Sequence, residues 1–200
     1  MLAYVFWHRP DGQADVGEYE DALNAFHRSL AHSRPAGLQD SASFRVAELP
    51  WVPIQGAEGS AAAGGYEDWY LLDGFGSLGV LNEAAVGRGH RTAHDHAARH
   101  TAAGTAGLYA LQEGTSDAWK QSGVAVWVTR EPGSAAPALG DLLADDGAQA
   151  GPSCLWRRQM SLGPAPELCL HAQQAPQGAA LDRLPAHWSA TTIDREALAT

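Results

Sequence analysis

Four of the nine histidines in this chain crowd one short stretch: His90, His94, His96 and His100. His90 with His94, and His96 with His100, stand at i,i+4, which puts each pair on one helix face in a geometry that can bind a metal. Residues 94 and 96 point about 200° apart on a helix, so one regular helix cannot bring all four to a single ion. No His-Glu-x-x-His pattern is present, which removes the metalloprotease reading. Solvated or helix-capping histidines are the simpler account, and no metal is expected. A histidine inside a pocket can still act as general base near neutral pH. His8, at the end of the first strand-like run, is one candidate.

Arg45, Arg157 and Arg158 fall within strand-like runs, where a buried charge is costly unless paired. One of them could hold an anionic ligand. The plainer alternative is an ion pair with Glu48, Glu67 or Asp68, or simple exposure. Gly74-Phe75-Gly76-Ser77-Leu78-Gly79 superficially matches a dinucleotide fingerprint, but the repeated βαβ units that fingerprint needs are missing. No Gly-x-Ser-x-Gly elbow occurs. Cys154 and Cys169 lie in neighbouring strand candidates, out of register, and are expected to be free buried thiols.

The elements that must position these groups come in a pattern that appears twice. Tyr4-Val5-Phe6-Trp7-His8-Arg9-Pro10 opens the first half, and Ala125-Val126-Trp127-Val128-Thr129-Arg130-Glu131-Pro132 opens the second. Each is followed by a helical stretch and two strand-like runs. In the first half, residues 2–8 read as a strand. Asp15 caps a helix with apolar Val16, Tyr19, Leu23, Phe26 and Leu30. Ser43–Leu49 and Tyr66–Leu72 read as strands, separated by a Pro- and Gly-rich excursion over 50–65. Ser77–Val86 and Thr92–Ala103 read as helices, and Gly107–Gln112 as the fourth strand. The second half offers strands at Val124–Arg130, Cys154–Leu162, Glu167–Gln173 and His187–Ile193. A short helix is expected at Ala136–Ala144 and a degenerate helical turn at Leu181–Leu184.

The order β-α-β-β-α-β is the ferredoxin-like unit. The expected fold is therefore α+β: two tandem βαββαβ repeats, residues 1–113 and 123–200, joined by a linker over 114–122. Their antiparallel sheets would form an α/β barrel within one chain.

This order resembles the dimeric α/β-barrel superfamily, which includes antibiotic-biosynthesis-type monooxygenases, EthD-like proteins and haem-degrading relatives. Glu67-Asp68-Trp69-Tyr70 resembles the third strand of such proteins. Gly89-His90-Arg91-Thr92-Ala93-His94 resembles the segment where many members carry a loop and a His-containing helix. The resemblance implies two sheets packed face to face with the ligand between them. It also implies a histidine near the pocket mouth, which nominates His94 beside His8 as a catalytic residue. Haem degradation in the superfamily uses an Asn, a Trp and a His. Trp69 and His94 match loosely, but strand one has no Asn, so no haem or other cofactor is expected.

Alternation along the strands divides Tyr4, Phe6 and His8 from Ala3, Val5 and Trp7. The first set is expected to point between the sheets. Tyr4, Phe6, Trp69 and Tyr70 would line the ligand site, and Arg45 or Arg158 would hold an anionic group. The expected function is a small-molecule-binding protein, as a cofactor-independent monooxygenase-like or isomerase-like enzyme. The competing expectation is a non-catalytic barrel scaffold or dimerisation module.

Composition sets the outer limits. Hydrophobic residues make up 45% and charged residues 18%, the balance of a globular protein. A formal net charge of −10 argues against nucleic acid as partner. No apolar run approaches the ~20 residues of a membrane span. The opening residues lack a leader pattern, so a cytoplasmic location is expected. A homodimer is compatible with all of this.

Overall fold

The structure is a computed structural model that describes residues 1–52, 64–87, 89–131, 153–172, 184 and 186–198. Eight strands dominate it: β1 (Leu2–Pro10), β2 (Leu38–Val46), β3 (Gly65–Leu72), β4 (Thr101–Gly114), β5 (Val124–Arg130), β6 (Cys154–Leu162), β7 (Leu168–Ala172) and β8 (Trp188–Ala197). Four helices accompany them among the described residues: α1 (Val16–His32), α2 (Phe75–Val86), α3 (Arg91–Ala98) and α4 (Ala118–Gln121). The helix expected at 136–144 and most of the turn expected at 181–184 lie outside the described residues.

Local chemistry accounts for α1. The Asp15 side chain accepts the Glu18 N–H at 2.9 Å, an N-cap worth about 1 kcal/mol. Tyr19, Leu23, Phe26 and Leu30 then fall on one face, and all four are buried. Several element boundaries differ from expectation. The second strand begins at Leu38 rather than Ser43. The third helix stops at Ala98, and the fourth strand starts at Thr101. Its Ala- and Gly-rich opening lacks the apolar spacing that marks a strand, but it pairs with Arg9 and Pro10 across β1. The expected linker holds α4, which buries Trp119 completely.

All pairings are antiparallel, and the strands close into a barrel in the order β1-β3-β2-β8-β5-β7-β6-β4. β2 meets β8 through Phe44–Val46, and β4 meets β6 along most of its length. The interior is a packed aromatic core. Trp7, Trp69, Trp127 and Trp156 fill it from four strands, and Trp119 enters from α4. Glu67 sits among them with no exposure and accepts the indole N–H of Trp7 at 2.9 Å, Trp69 at 2.6 Å and Trp127 at 3.1 Å. Arg195 Nε lies 2.9 Å from the same carboxylate, and its guanidinium stacks 3.7 Å from the Phe44 ring centroid. Cys154 and Cys169 are free and buried, as their register implied, each 3.6 Å from a ring nitrogen of His171.

This interior corrects one expectation. Ala3, Val5 and Trp7 point inward, whereas Tyr4, Phe6 and His8 face the helices. The small apolar set was expected under the helices, but the enclosed volume is closed by large indoles, with a small residue beside them. Open space is present on the helix side of the first half.

Candidate active site

A cavity of about 690 Å³ lies between the outer face of the sheet and helices α1, α2 and α3. Its floor follows from register. Asp68, Phe6, Ala106 and Leu162 pair in turn across β3, β1, β4 and β6, and Tyr70, Tyr4, Leu108 and Met160 form a parallel row. Its walls are apolar, from Leu23 and Phe26 of α1 and Leu78 and Leu81 of α2.

Polar groups gather at one end. Asp68 is 3% exposed and His8 is 1% exposed, and both reach the cavity. His8 Nε2 lies 3.2 Å from Asp68 Oδ2, and Tyr70 Oη donates to the same oxygen at 3.2 Å. His27, behind the cavity on α1, brings its Nε2 to 3.6 Å from Asp68 Oδ1. Burial alone would push the Asp68 carboxyl up. The charges and hydrogen bonds of His8 and His27 outweigh it and hold the group well below the usual carboxylate range, so Asp68 is ionised. The phenols around it stay protonated: burial, then the Asp68 charge, pushes Tyr4 up to about 12 and raises Tyr70 well above the ordinary phenol value.

On its other side His8 Nδ1 lies 2.5 Å from Tyr19 Oη, and that hydroxyl shares a 2.9 Å hydrogen bond with Thr101 Oγ1. Nε2 is the ring nitrogen that faces Asp68. His8 Nε2, His27 Nε2 and Asp68 Oδ1 are buried and make no well-aligned hydrogen bond within the protein. Three such atoms around one carboxylate, beside open space, are chemically suited to a hydroxyl or water brought in from the cavity.

The structure brings together Tyr4, Phe6, His8, Tyr70 and His94 of the residues nominated from sequence. His94 stands on α3 with its ring edge-on to Phe26 at 5.6 Å and its Nδ1 3.2 Å from exposed Asp95. Its neighbour His90 is structural: it is buried at the start of α3, with Nδ1 2.5 Å from Ser29 Oγ and Nε2 2.9 Å from Ser33 O. Among the described residues no three His, Cys, Asp or Glu side chains are grouped to hold a metal ion.

Three nominated residues lie elsewhere. Trp69 cannot share a wall with Tyr70, because adjacent strand residues face opposite ways, and it points into the barrel. Arg45 is exposed and pairs with Glu20 at 2.7 Å and Glu196 at 2.8 Å, the plainer alternative for a strand arginine. Arg158 donates to Ala165 O. Among the described residues no arginine or lysine lines the cavity. Asp68, Tyr19 and His27 were not nominated as site residues. The available signal was two adjacent acids in Tyr66-Glu67-Asp68-Trp69-Tyr70-Leu71-Leu72, an otherwise apolar strand that is buried throughout.

No family model matches the chain, and no curated protein matches it in sequence. Solved structures do match in fold. An anthrone oxidase-like protein superposes with a TM-score of 0.55 at 11% identity, covering 100% of this chain and 94% of its own. A monooxygenase-titled protein from Lactobacillus acidophilus NCFM superposes with a TM-score of 0.53 at 8% identity, covering 100% and 95%. Identities this low speak to the fold alone. No helix among the described residues is long and apolar enough to cross a membrane.

Proposed function

We propose that this chain is a small-molecule enzyme of the monooxygenase-like kind, working without a cofactor in the helix-side cavity of its first half. The observation that carries the reading is the pairing of buried His8 with ionised Asp68 at the polar end of an otherwise apolar cavity. The strand orders β4-β1-β3-β2 and β8-β5-β7-β6 correspond position for position, which supports two tandem ferredoxin-like units. Among the described residues no arginine or lysine accompanies the Asp68 carboxylate in the cavity, which favours a ligand that donates a hydrogen bond over an anion.

The chemistry follows from those groups. His8, as the neutral imidazole, takes a proton from an acidic carbon or hydroxyl of the bound molecule, and Asp68 stabilises the imidazolium that forms. The resulting carbanion or phenolate is rich enough in electrons to reduce dioxygen directly. For an activated methylene, a C–O bond forms, and the hydroperoxide loses water to leave a carbonyl. One CH₂ and one O₂ give one C=O and one H₂O, with carbon oxidised and dioxygen reduced. The apolar walls exclude competing water.

Anthrone, the compound in the first neighbour's title, is a direct probe. Oxygen uptake by the purified protein should accompany a product that has gained one oxygen and lost two hydrogens, and His8→Gln should lower the rate at least about 100-fold. Uptake unchanged by His8→Gln would sink the assignment. A carrier of apolar molecules is the second reading, favoured by the exposed apolar residues Phe75, Val86, Met160 and Leu162 around the cavity. Tight binding of anthrone without oxygen uptake would select it.

A further inference from the structure

The cavity belongs to the first half of the chain in every wall but one. Met160 and Leu162, at the end of β6 in the second half, complete it. Their placement is fixed by register: Leu162 pairs with Ala106 and Met160 with Leu108 on β4. The turn that follows is pinned as well. Gly163 has φ +126°, and a side chain there would reach 2.4 Å from Thr105 Oγ1, which itself donates to Pro164 O at 2.7 Å.

The two floor rows give the cavity a direction. Each runs from a polar residue on β3, through β1 and β4, to an apolar residue on β6. Three interstrand steps separate the ends, a distance of about 14 Å. Met160 is 40% exposed and Leu162 51% exposed, an unusual state for large apolar side chains next to a cavity. On the helix side, Phe75 and Val86 are 61% and 44% exposed. A ligand held by its hydroxyl at Asp68 and His8 would meet these side chains only if it were long enough to cross β1 and β4.

We infer that Met160 and Leu162 are specificity-determining residues that set ligand length, so that the second half of the chain selects what the first half binds. The inference rests on the cavity reading above and adds the far wall to it. Short aromatic alcohols use only the polar end and the rings of Tyr4 and Phe6. An elongated planar molecule of about three fused rings reaches β6 and gains apolar contact there. No charge is needed at that end, and none lines it among the described residues.

The test uses phenol, 2-naphthol and 2-hydroxyanthracene as probes, with affinities from fluorescence titration and phenol measured by competition. In the intact protein affinity should rise at least about fivefold with each added ring. The double variant Met160→Ala, Leu162→Ala should weaken 2-hydroxyanthracene by roughly tenfold and leave phenol unchanged. Leu162→Trp should exclude the three-ring probe and retain the two-ring one. Both side chains are substantially exposed, so their replacement leaves the fold intact, and an unchanged Tm verifies that. Equal loss for all three probes, or no loss for the longest, overturns the length role while the cavity reading stands. If no probe binds the intact protein, or Asp68→Asn leaves binding unaltered, the cavity reading fails and this one with it.

Discussion

Glu67 and Asp68 are neighbours in sequence with opposite destinations, and each is made tolerable by different partners. Glu67 faces the barrel core and collects three indole N–H groups and a guanidinium. Asp68 faces the helices and is shared by two histidines and a phenol. Its carboxyl is held below its ordinary value because the folded protein favours the charged form. A depressed carboxyl stabilises the fold above the unfolded value, about 3.9, and that stability is lost as pH falls below it toward the folded value. Asp68→Asn should therefore be less stable than the parent by about 1–3 kcal/mol above pH 4. The gap should narrow steadily as pH is lowered from 4 toward 2. Urea unfolding across that range measures it, and a pH-independent gap would show that Asp68 contributes shape rather than charge.

Among the elements, α2 is the most weakly tied wall of the cavity. Only Leu81 and Ala85 are buried along it, and Gly74 caps its start without a side-chain hydrogen bond. Gly79 lines the cavity, and a Cβ there would meet nothing within 4 Å. Gly79→Leu should raise helix propensity by up to about 1 kcal/mol, so Tm should hold or rise. The new side chain should also occupy the cavity and abolish 2-naphthol binding, read by fluorescence titration; retained affinity would place the ligand elsewhere. How far such elements could be read beforehand depends on their packing. The amphipathic spacing of α1 and the bounds of β5 and β6 were legible because one face of each repeats in the residue types. The opening of β4, Thr101-Ala102-Ala103-Gly104, carries no such pattern and is a strand only because β1 pairs with it. Facing was the harder matter. Alternation separates Tyr4, Phe6 and His8 from Ala3, Val5 and Trp7, yet only the closed barrel decides which set is enclosed. The same gap hid Asp68, whose value as a site residue comes from His27 and Tyr19 on a helix far away in sequence.

Across the molecule, side chains from both halves of the chain meet in one barrel core. Glu67 and Trp69 come from β3 and Trp7 from β1, whereas Trp127 comes from β5 and Arg195 from β8. The Glu67–Arg195 pair spans them with both side chains wholly buried. Burial lowers the Arg195 pKa and the nearby carboxylate raises it, so the charge is retained at the expense of dependence on its partner. Glu67→Gln would keep one oxygen that can accept the Trp7 and Trp127 indole N–H groups but would set an amide NH₂ against Trp69 and leave the guanidinium without a counter-charge. Breaking a buried pair in this way costs about 3–5 kcal/mol, which for a domain of this size lowers Tm by roughly 6–20 °C. Because the core is shared, calorimetry should show one transition before and after the substitution, displaced as a whole. Two transitions of which only one moves would mean that the halves fold independently. The cavity's far wall at Met160 and Leu162 would then belong to a separate unit rather than to a rigid boundary of the site.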